Sequence, residues 1–433
     1  MKLFAATEIL KFMIKVKKPS HLPALVAVTI ATSIKTLWLL SIPSNFTLME
    51  NDSVRYLRIS EHFWSVFFHS NPNADSFYIT PGYPLFLSFF PSENIKLMIF
   101  FQLLLLGASQ IILFKLIIRH TSTGVAYIGL TLFILESSTG LESFNLLTET
   151  LFNFIFVLFL FLFEDGMNKK HVLYTSGIVL GIALIVRPVG QILLIPLILM
   201  IAFRSWRRQV ITVLLIAVVV SSTWIMRNQV VFGVPQLSGI QSLNLLQYEG
   251  AGASAKQNDV TLKEAQAEES TLEINQIGEG ASIQKVVEYR VDRGIKLIIE
   301  NLSGFFKLHL EGAVKILLGP GSANIRKLTS HFLSSEALSN LVQVLIVLMR
   351  LVISSLAFIF IFLAIKKRVF MPIQFYSIVS WILLLISSGG ANAYSRFRVP
   401  LIPLEIIIIC IGLWHSFQQD WFKKIVIRVK RAF

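Results

Sequence analysis

The sequence predicts an all-α polytopic membrane protein with about ten transmembrane helices, interfacial helices in its first outer loop and a small helical module outside the membrane. Three observations lead there. Hydrophobic residues fill 54% of the 433 positions and charged residues only 15%, with a mean hydropathy of +0.69, whereas soluble domains carry about 25% charged residues. Many of the 35 Phe lie in long apolar runs such as LFNFIFVLFLFLF at residues 151–163, which bury in lipid rather than in a water-soluble core. Finally, Lys and Arg cluster between the apolar runs, as they do in cytoplasmic loops. The formal charge of +14 therefore points to membrane lipids as partners and not to nucleic acid. The lone Cys410 sits inside an apolar run, which excludes an internal disulfide or a cysteine-based metal site.

A spanning helix needs about 20 mainly apolar residues. On that criterion the spans fall near residues 22–43, 95–118, 122–136, 146–163, 172–186, 189–203, 209–226, 338–365, 371–387 and 399–418. The first is read as retained, because Lys11, Lys15, Lys17 and Lys18 precede it and no small-residue cleavage site follows. The basic stretches Lys2 to Lys18, Lys115 with Arg119, Lys169 with Lys170, Arg204 with Arg207 and Arg208, Lys366 to Arg368, and Lys423 to Arg431 then share one side. That side is the cytoplasm, and both termini lie in it. A single helix through 174–203 would flip the parity, so a hairpin is expected at Arg187-Pro188, where proline favours a break. The resulting plan is an N-terminal membrane domain over 1–227 with an outer loop at 44–94, an extracytoplasmic helical module over 228–337, and C-terminal membrane helices over 338–433. A multi-pass protein of the cytoplasmic (inner) membrane, with its site facing outward, is the expected setting.

The outer face collects the unusual residues. In its first loop, Leu57, Phe63, Trp64, Phe67 and Phe68 recur at helical spacing against Arg55, Arg58, Glu61, His62 and Ser65, the pattern of an amphipathic helix lying on the membrane surface. The stretch 249–300 is polar and rich in Ala, Glu and Lys, then alternates apolar and charged residues at helical period. GEGAS at 278–282 is a hinge between its two parts.

Several motifs on that face carry possible chemistry. Asp52 and Tyr56 stand four residues apart just beyond the first span; a held aspartate there can take a proton from a hydroxyl, while a solvated loop acid or helix cap is the plain alternative. Tyr78 to Leu85, YITPGYPL, with Tyr83 at its centre, reads as a rigid non-helical segment, or simply as part of an aromatic belt. Arg187, Arg227, Arg396 and Arg398 mark outer ends of spans. Arginine there runs against the orientation bias and invites an anion such as phosphate, bound by the guanidinium fork. Snorkelling to headgroups or pairing with Glu142 or Glu149 is the other reading. Glu149 opens the fourth span, where the helix dipole alone favours an acid, and Tyr394 belongs to NAYSRFRVPLIP. His62, His69, His309 and His331 show no metal-ligand spacing. No cofactor is assigned, and a divalent metal is left open.

Taken in order, an outer-loop Asp with Tyr four residues on, a PGYPL segment, T-E-T-L opening a Phe-rich span, R-P between two spans, W-x-x-R-N, and R-x-R-x-P-L-x-P resemble the GT-C superfamily of integral membrane glycosyltransferases. The likeness covers about residues 25 to 420 and leans toward the bacterial protein mannosyltransferase and lipid A aminoarabinose transferase branch. It implies transfer of a sugar, with inversion, from a polyprenyl-phosphate-linked donor to a lipid or glycan acceptor. Asp52 would match the family's base, and the four arginines the positions that hold the carrier phosphate. Tyr56, Tyr83, Glu149 and Tyr394 are the candidate substrate contacts. Two departures stand out: Asp52-Ser53 replaces an Asp-Glu pair, and the polar module sits mid-chain rather than at the C-terminus. A flippase for a lipid-linked sugar, with Lys35 as its intramembrane charge, is the main rival. An O-antigen polymerase or ligase and a non-enzymatic membrane subunit complete the alternatives.

Overall fold

The structure, a computed structural model, describes residues 21–42, 51–68, 75–321, 325, 336–367, 370–391 and 393–418. The basic stretches Lys2 to Lys18 and Lys423 to Arg431, together with Arg368, His69 and His331, lie outside the described residues. Among those described, all regular structure is helical.

Among the described residues, four helices are long and apolar enough to cross a membrane: Leu22–Ser41, Ile95–Ile117, Arg207–Phe232 and Glu336–Lys366. Shorter apolar helices occupy Thr123–Leu135, Lys170–Val186, Pro188–Met200, Pro372–Ser387 and Leu401–Phe417, and Thr148–Gly166 carries the Phe-rich run. Each of the ten expected segments is thus helical, but not each is a full span by length. Residues 188–200 form a 3-10 turn, Pro188–Leu193, followed by the seven-residue helix Leu194–Met200. At their rises of about 2.0 and 1.5 Å per residue these reach roughly 22 Å, short of a hydrocarbon core of about 30 Å.

That short segment nevertheless returns the chain across the bundle. A Cβ on Gly177 would meet Ile216, and one on Gly181 would meet Val220, so contacts advance by four residues on both helices together. Lys170–Val186 and Arg207–Phe232 therefore run parallel. Lys169 and Lys170 consequently lie at the same end as Arg204 to Arg208, and the break at Arg187-Pro188 is real. One core runs through the bundle, with Phe152, Phe156, Phe159 and Phe163 meeting Tyr376, Trp381 and the Ile406–Ile409 run.

The outer loop differs from its expected form. Its amphipathic stretch is two helices, Asn51–Glu61 and Phe63–Phe68. Phe63 and Phe67 are buried in a small cluster with Leu184 and Trp224, while Trp64 and Phe68 stay exposed. These two helices pack on the bundle end through Phe63 and Phe67 and turn Trp64 and Phe68 outward. The PGYP segment, expected to be non-helical, starts a short helix, Gly82–Leu87, with Pro81 as its N-cap. Proline is tolerated in a first turn because the N–H it lacks would have no helical partner there. Pro84 sits in that turn.

The polar module is built as its periodicity indicates. Leu262–Ile277 begins with a Thr261/Glu264 capping box, which satisfies two otherwise orphan donors. Arg290 and Arg293 of the Ile283–Glu300 helix fork onto Glu273 and Glu269, and Arg290 donates to Tyr78 Oη at 2.9 Å. The module is thereby tied to the outer loop. The helix Leu302–Leu318 enters the bundle: Ile316 and Leu317 belong to the main core.

Sidedness is open to direct test. A reporter fused after Lys170 or Lys367 is expected to read as cytoplasmic, and one inserted near Asn258 as external. Finding Lys170 and Asn258 on one side would contradict an outer compartment for the polar module.

Candidate active site

Helix ends converge at the end of the bundle opposite Lys170 and Arg207. The N-termini of Asn51–Glu61 and Thr148–Gly166, the C-termini of Lys170–Val186 and Pro372–Ser387, and the turn before Leu401–Phe417 together enclose a cavity of about 1100 Å³. Asp52, Tyr56, Glu142, Glu149, Arg187, Glu249, Lys315, Tyr394 and Arg396 line it.

Asp52 lies in the first turn of its helix, where the dipole favours a carboxylate. Its side chain is 54% exposed, and Oδ2 stands 3.5 Å from the Arg396 guanidinium. Tyr56, one turn on, packs edge-to-face on Tyr83 with centroids 5.1 Å apart. Burial, reinforced by Glu149 and Asp52, holds the Tyr56 phenol protonated well above its ordinary range. It can donate a hydrogen bond but cannot serve as a base. Glu149 is nearly buried and pairs with Arg187 at 3.1 Å. Arg187 and Arg396 both lie within 5.5 Å of the Phe397 ring centroid, so an aromatic plane holds the two guanidinium groups. Neighbouring Arg55 and Arg58 are committed to Asp75, which braces the Asp52 helix.

The remaining expected residues are placed elsewhere. Tyr83 is fully buried and donates to Gln102 Oε1 at 2.9 Å; Gln102 in turn donates to the Ser143 and Asn145 carbonyls. Arg227 donates to the Phe67 and Ser76 carbonyls and to Ser76 Oγ, with Trp224 and Phe232 beneath it. Arg398 is fully buried and donates to the carbonyls of Ile316, Leu317 and Gly319 and to Ser138 Oγ. None of these three lines the cavity. A span-end arginine reads the same in sequence whether its partner is a phosphate or a run of backbone carbonyls.

Sequence reasoning also missed a buried charge network. Arg350 meets Glu405 at 2.9 Å and donates to the Leu317 carbonyl; Trp381 Nε1 donates to Glu405; and Glu136 stands 3.6 Å from Arg398. The signal was present, since Arg350 and Glu405 are lone charges inside apolar runs. Two arginines thus cap the C-terminal carbonyls of Leu302–Leu318, where the helix dipole favours cations. They fix Lys315 and Gly319 against the cavity. Among the described residues no three of His, Cys, Asp and Glu are grouped to hold a metal ion.

No family model and no curated protein matches the chain. Among solved structures it is similar to the archaeal oligosaccharyltransferase AglB from Archaeoglobus fulgidus, determined with an inhibitory peptide and a dolichol-phosphate. Sequence identity is 14%, the TM-score is 0.47, and the match covers 94% of this chain and 52% of that one. This chain spans about half the length of that protein. A likeness so slight fixes neither family nor activity.

Proposed function

We propose that the chain is a membrane glycosyltransferase that takes a sugar from a polyprenyl-phosphate carrier and passes it to a hydroxyl of a lipid or glycan acceptor on the outer face of the membrane. The observation that carries this reading is the Asp52–Arg396 pair: a carboxylate accessible to substrate, 3.5 Å from a guanidinium, inside a 1100 Å³ cavity at the end of the bundle opposite the basic loops. Asp52 takes the acceptor's proton as its oxygen bonds to the anomeric carbon. The bond from that carbon to the carrier phosphate breaks, and the polyprenyl phosphate leaves with the electron pair. In-line displacement inverts the anomeric centre. Arg396 and Arg187 face the charge developing on the leaving phosphate, where fixed cations in a partly dehydrated site act most strongly.

The buried charges favour an enzyme over a flippase. A path for a sugar phosphate would present charges free to meet it, whereas Arg350, Glu405, Glu136 and Arg398 are occupied with one another and with a helix terminus. The test is reconstitution in liposomes with a polyprenyl-phosphate-linked hexose. Acceptor-dependent release of polyprenyl phosphate is expected; movement of intact donor between leaflets without release would establish the flippase instead.

The arginines divide into two groups on this reading. Arg187→Lys and Arg396→Lys keep charge but lose the fork, so turnover should fall about tenfold or more with the melting temperature held. Arg227→Lys and Arg398→Lys leave buried carbonyls short of donors at about 1–3 kcal/mol each. They should lower the melting temperature first. Full turnover in both Arg187→Lys and Arg396→Lys would remove the anion site.

A further inference from the structure

The cavity holds one pair that the proposed displacement does not use. Glu249 sits on a π-helical turn, Leu245–Gly250, a departure from α-helix that concentrates at functional sites. Its Oε2 lies 2.8 Å from His309 Nε2, and His309 Nδ1 lies 3.0 Å from the Ile386 carbonyl oxygen. The carbonyl only accepts, so Nδ1 carries a proton. A carboxylate also only accepts, so the pair holds a further proton between Nε2 and Glu249. The backbone is shaped around this arrangement. A Cβ at Gly312 would collide with the Gly389 carbonyl, and one at Gly390 with the Glu249 carboxylate. Glycine at these positions lets the Leu302–Leu318 helix press onto the 387–391 turn and leaves room for the carboxylate. Glu249 lines the cavity, and its Oε1 has no hydrogen-bond partner among the described residues.

We propose that Glu249, oriented by His309, is a recognition site for the hydroxyl groups of the sugar being transferred. The proposal rests on the lipid-linked donor reading above and names the part of the cavity that selects the sugar. A fixed carboxylate with a free oxygen accepts strong charge-assisted hydrogen bonds from sugar hydroxyls. Asp52 and Glu249 both border the 387–397 segment, Asp52 through Arg396 and Glu249 through Gly390. A sugar whose anomeric carbon faces Asp52 therefore extends its other hydroxyls along this wall.

The pair gives the site a pH signature. Burial, the largest influence, disfavours a charged His309, but the Glu249 hydrogen bond, its attraction and the Ile386 carbonyl together raise the imidazole above its ordinary 6.5. Of the charged groups packed around this helix, Lys256 is paired with Glu311 at 2.6 Å. Arg350 and Arg398 are held by carbonyls and by Glu405 and Glu136, and Lys315 lies further along toward the cavity. Among the charged groups of the described residues, Glu249 is the one that bonds His309. With its folded value raised, the imidazolium is fully present below about pH 6.5 and is lost as pH rises through the raised value. Above it, the Nε2 lone pair faces the carboxylate, and Glu249 loses its orientation.

The experiment measures binding by the purified full chain of two monoanionic probes, a mannosyl or glucosyl polyprenyl phosphodiester and the methyl polyprenyl phosphodiester. Wild type at pH 6 is expected to prefer the hexosyl forms. Glu249→Gln should cut that preference about tenfold or more and leave affinity for the methyl diester unchanged. The wild-type preference should decline between pH 6 and pH 9, and His309→Gln should show a weak preference without that decline. A preference that survives Glu249→Gln, or a pH decline that persists in His309→Gln, overturns the proposal, as does equal loss of both probes in Glu249→Gln. If Glu249→Gln does not fold, the pH comparison with His309→Gln decides alone. Failure of wild type to bind any diester overturns the donor reading itself, which is a distinct result.

Discussion

Asp52→Asn is expected to lower sugar transfer by about a hundred- to ten-thousand-fold, the range that general-base catalysis supplies, while membrane insertion and carrier binding persist. The size of this effect separates it from every structural role the residue could have. Asp52 sits in the first turn of its helix with a half-exposed side chain. Losing a charge there costs about 0.3–1 kcal/mol through the helix dipole. Its pair with Arg396 is partly solvated, and such pairs contribute about 0–1 kcal/mol. Asparagine also keeps the size and capping ability of aspartate. Stability therefore changes little, and a structural aspartate would leave turnover nearly intact. Near-normal turnover in Asp52→Asn would move the base to Glu142 or Glu149. Glu149 starts at a disadvantage, being buried against Arg187.

Glu405→Gln should destabilise the protein by up to about 3–5 kcal/mol, because it removes the nearer carboxylate from a buried arginine and leaves Glu136, at 4.0 Å, shared between Arg350 and Arg398. Both side chains are fully buried, Arg350 on Glu336–Lys367 and Glu405 on Leu401–Phe417. The Trp381 indole would keep an acceptor in glutamine, so the loss isolates charge from hydrogen bonding. A lower melting temperature in detergent is the measurement. Replacing both partners, Arg350→Met with Glu405→Leu, should restore part of the loss, since a buried pair can give way to apolar packing at small net cost. Turnover should remain depressed in the double variant. Arg350 also donates to the Leu317 carbonyl, and without that bond the Lys315–Gly321 wall loses one of its two arginine anchors. Equal stability of wild type and Glu405→Gln would show that the network is not a structural latch.

Much of the fold was legible because hydropathy is local. Each of the ten expected apolar segments is helical among the described residues, and the basic loops of those residues collect at one end of the bundle. What escaped depends on long-range packing. The parallel course of Lys170–Val186 and Arg207–Phe232 was expected from the basic loops, but the close approach at Gly177 and Gly181 that packs them was not. The PGYP segment looked rigid and irregular because two prolines suggest a break, yet both fall where a helix tolerates them. Within the site, Asp52, Tyr56, Glu149, Arg187, Tyr394 and Arg396 meet in one cavity, and Tyr83, Arg227 and Arg398 brace its surroundings. Glu249 and His309 are separated by 60 residues, and nothing in either segment marks them as partners.

The anomeric configuration of the product tests the proposed displacement most directly. A polyprenyl-phosphate hexose labelled with carbon-13 at its anomeric position, incubated with reconstituted protein and acceptor, reports the configuration by NMR. Attack by an acceptor hydroxyl activated at Asp52 predicts a single product of inverted configuration, absent with Asp52→Asn. Retained configuration would require two successive displacements and contradict the mechanism; no product from any lipid-linked hexose would contradict the transferase assignment itself.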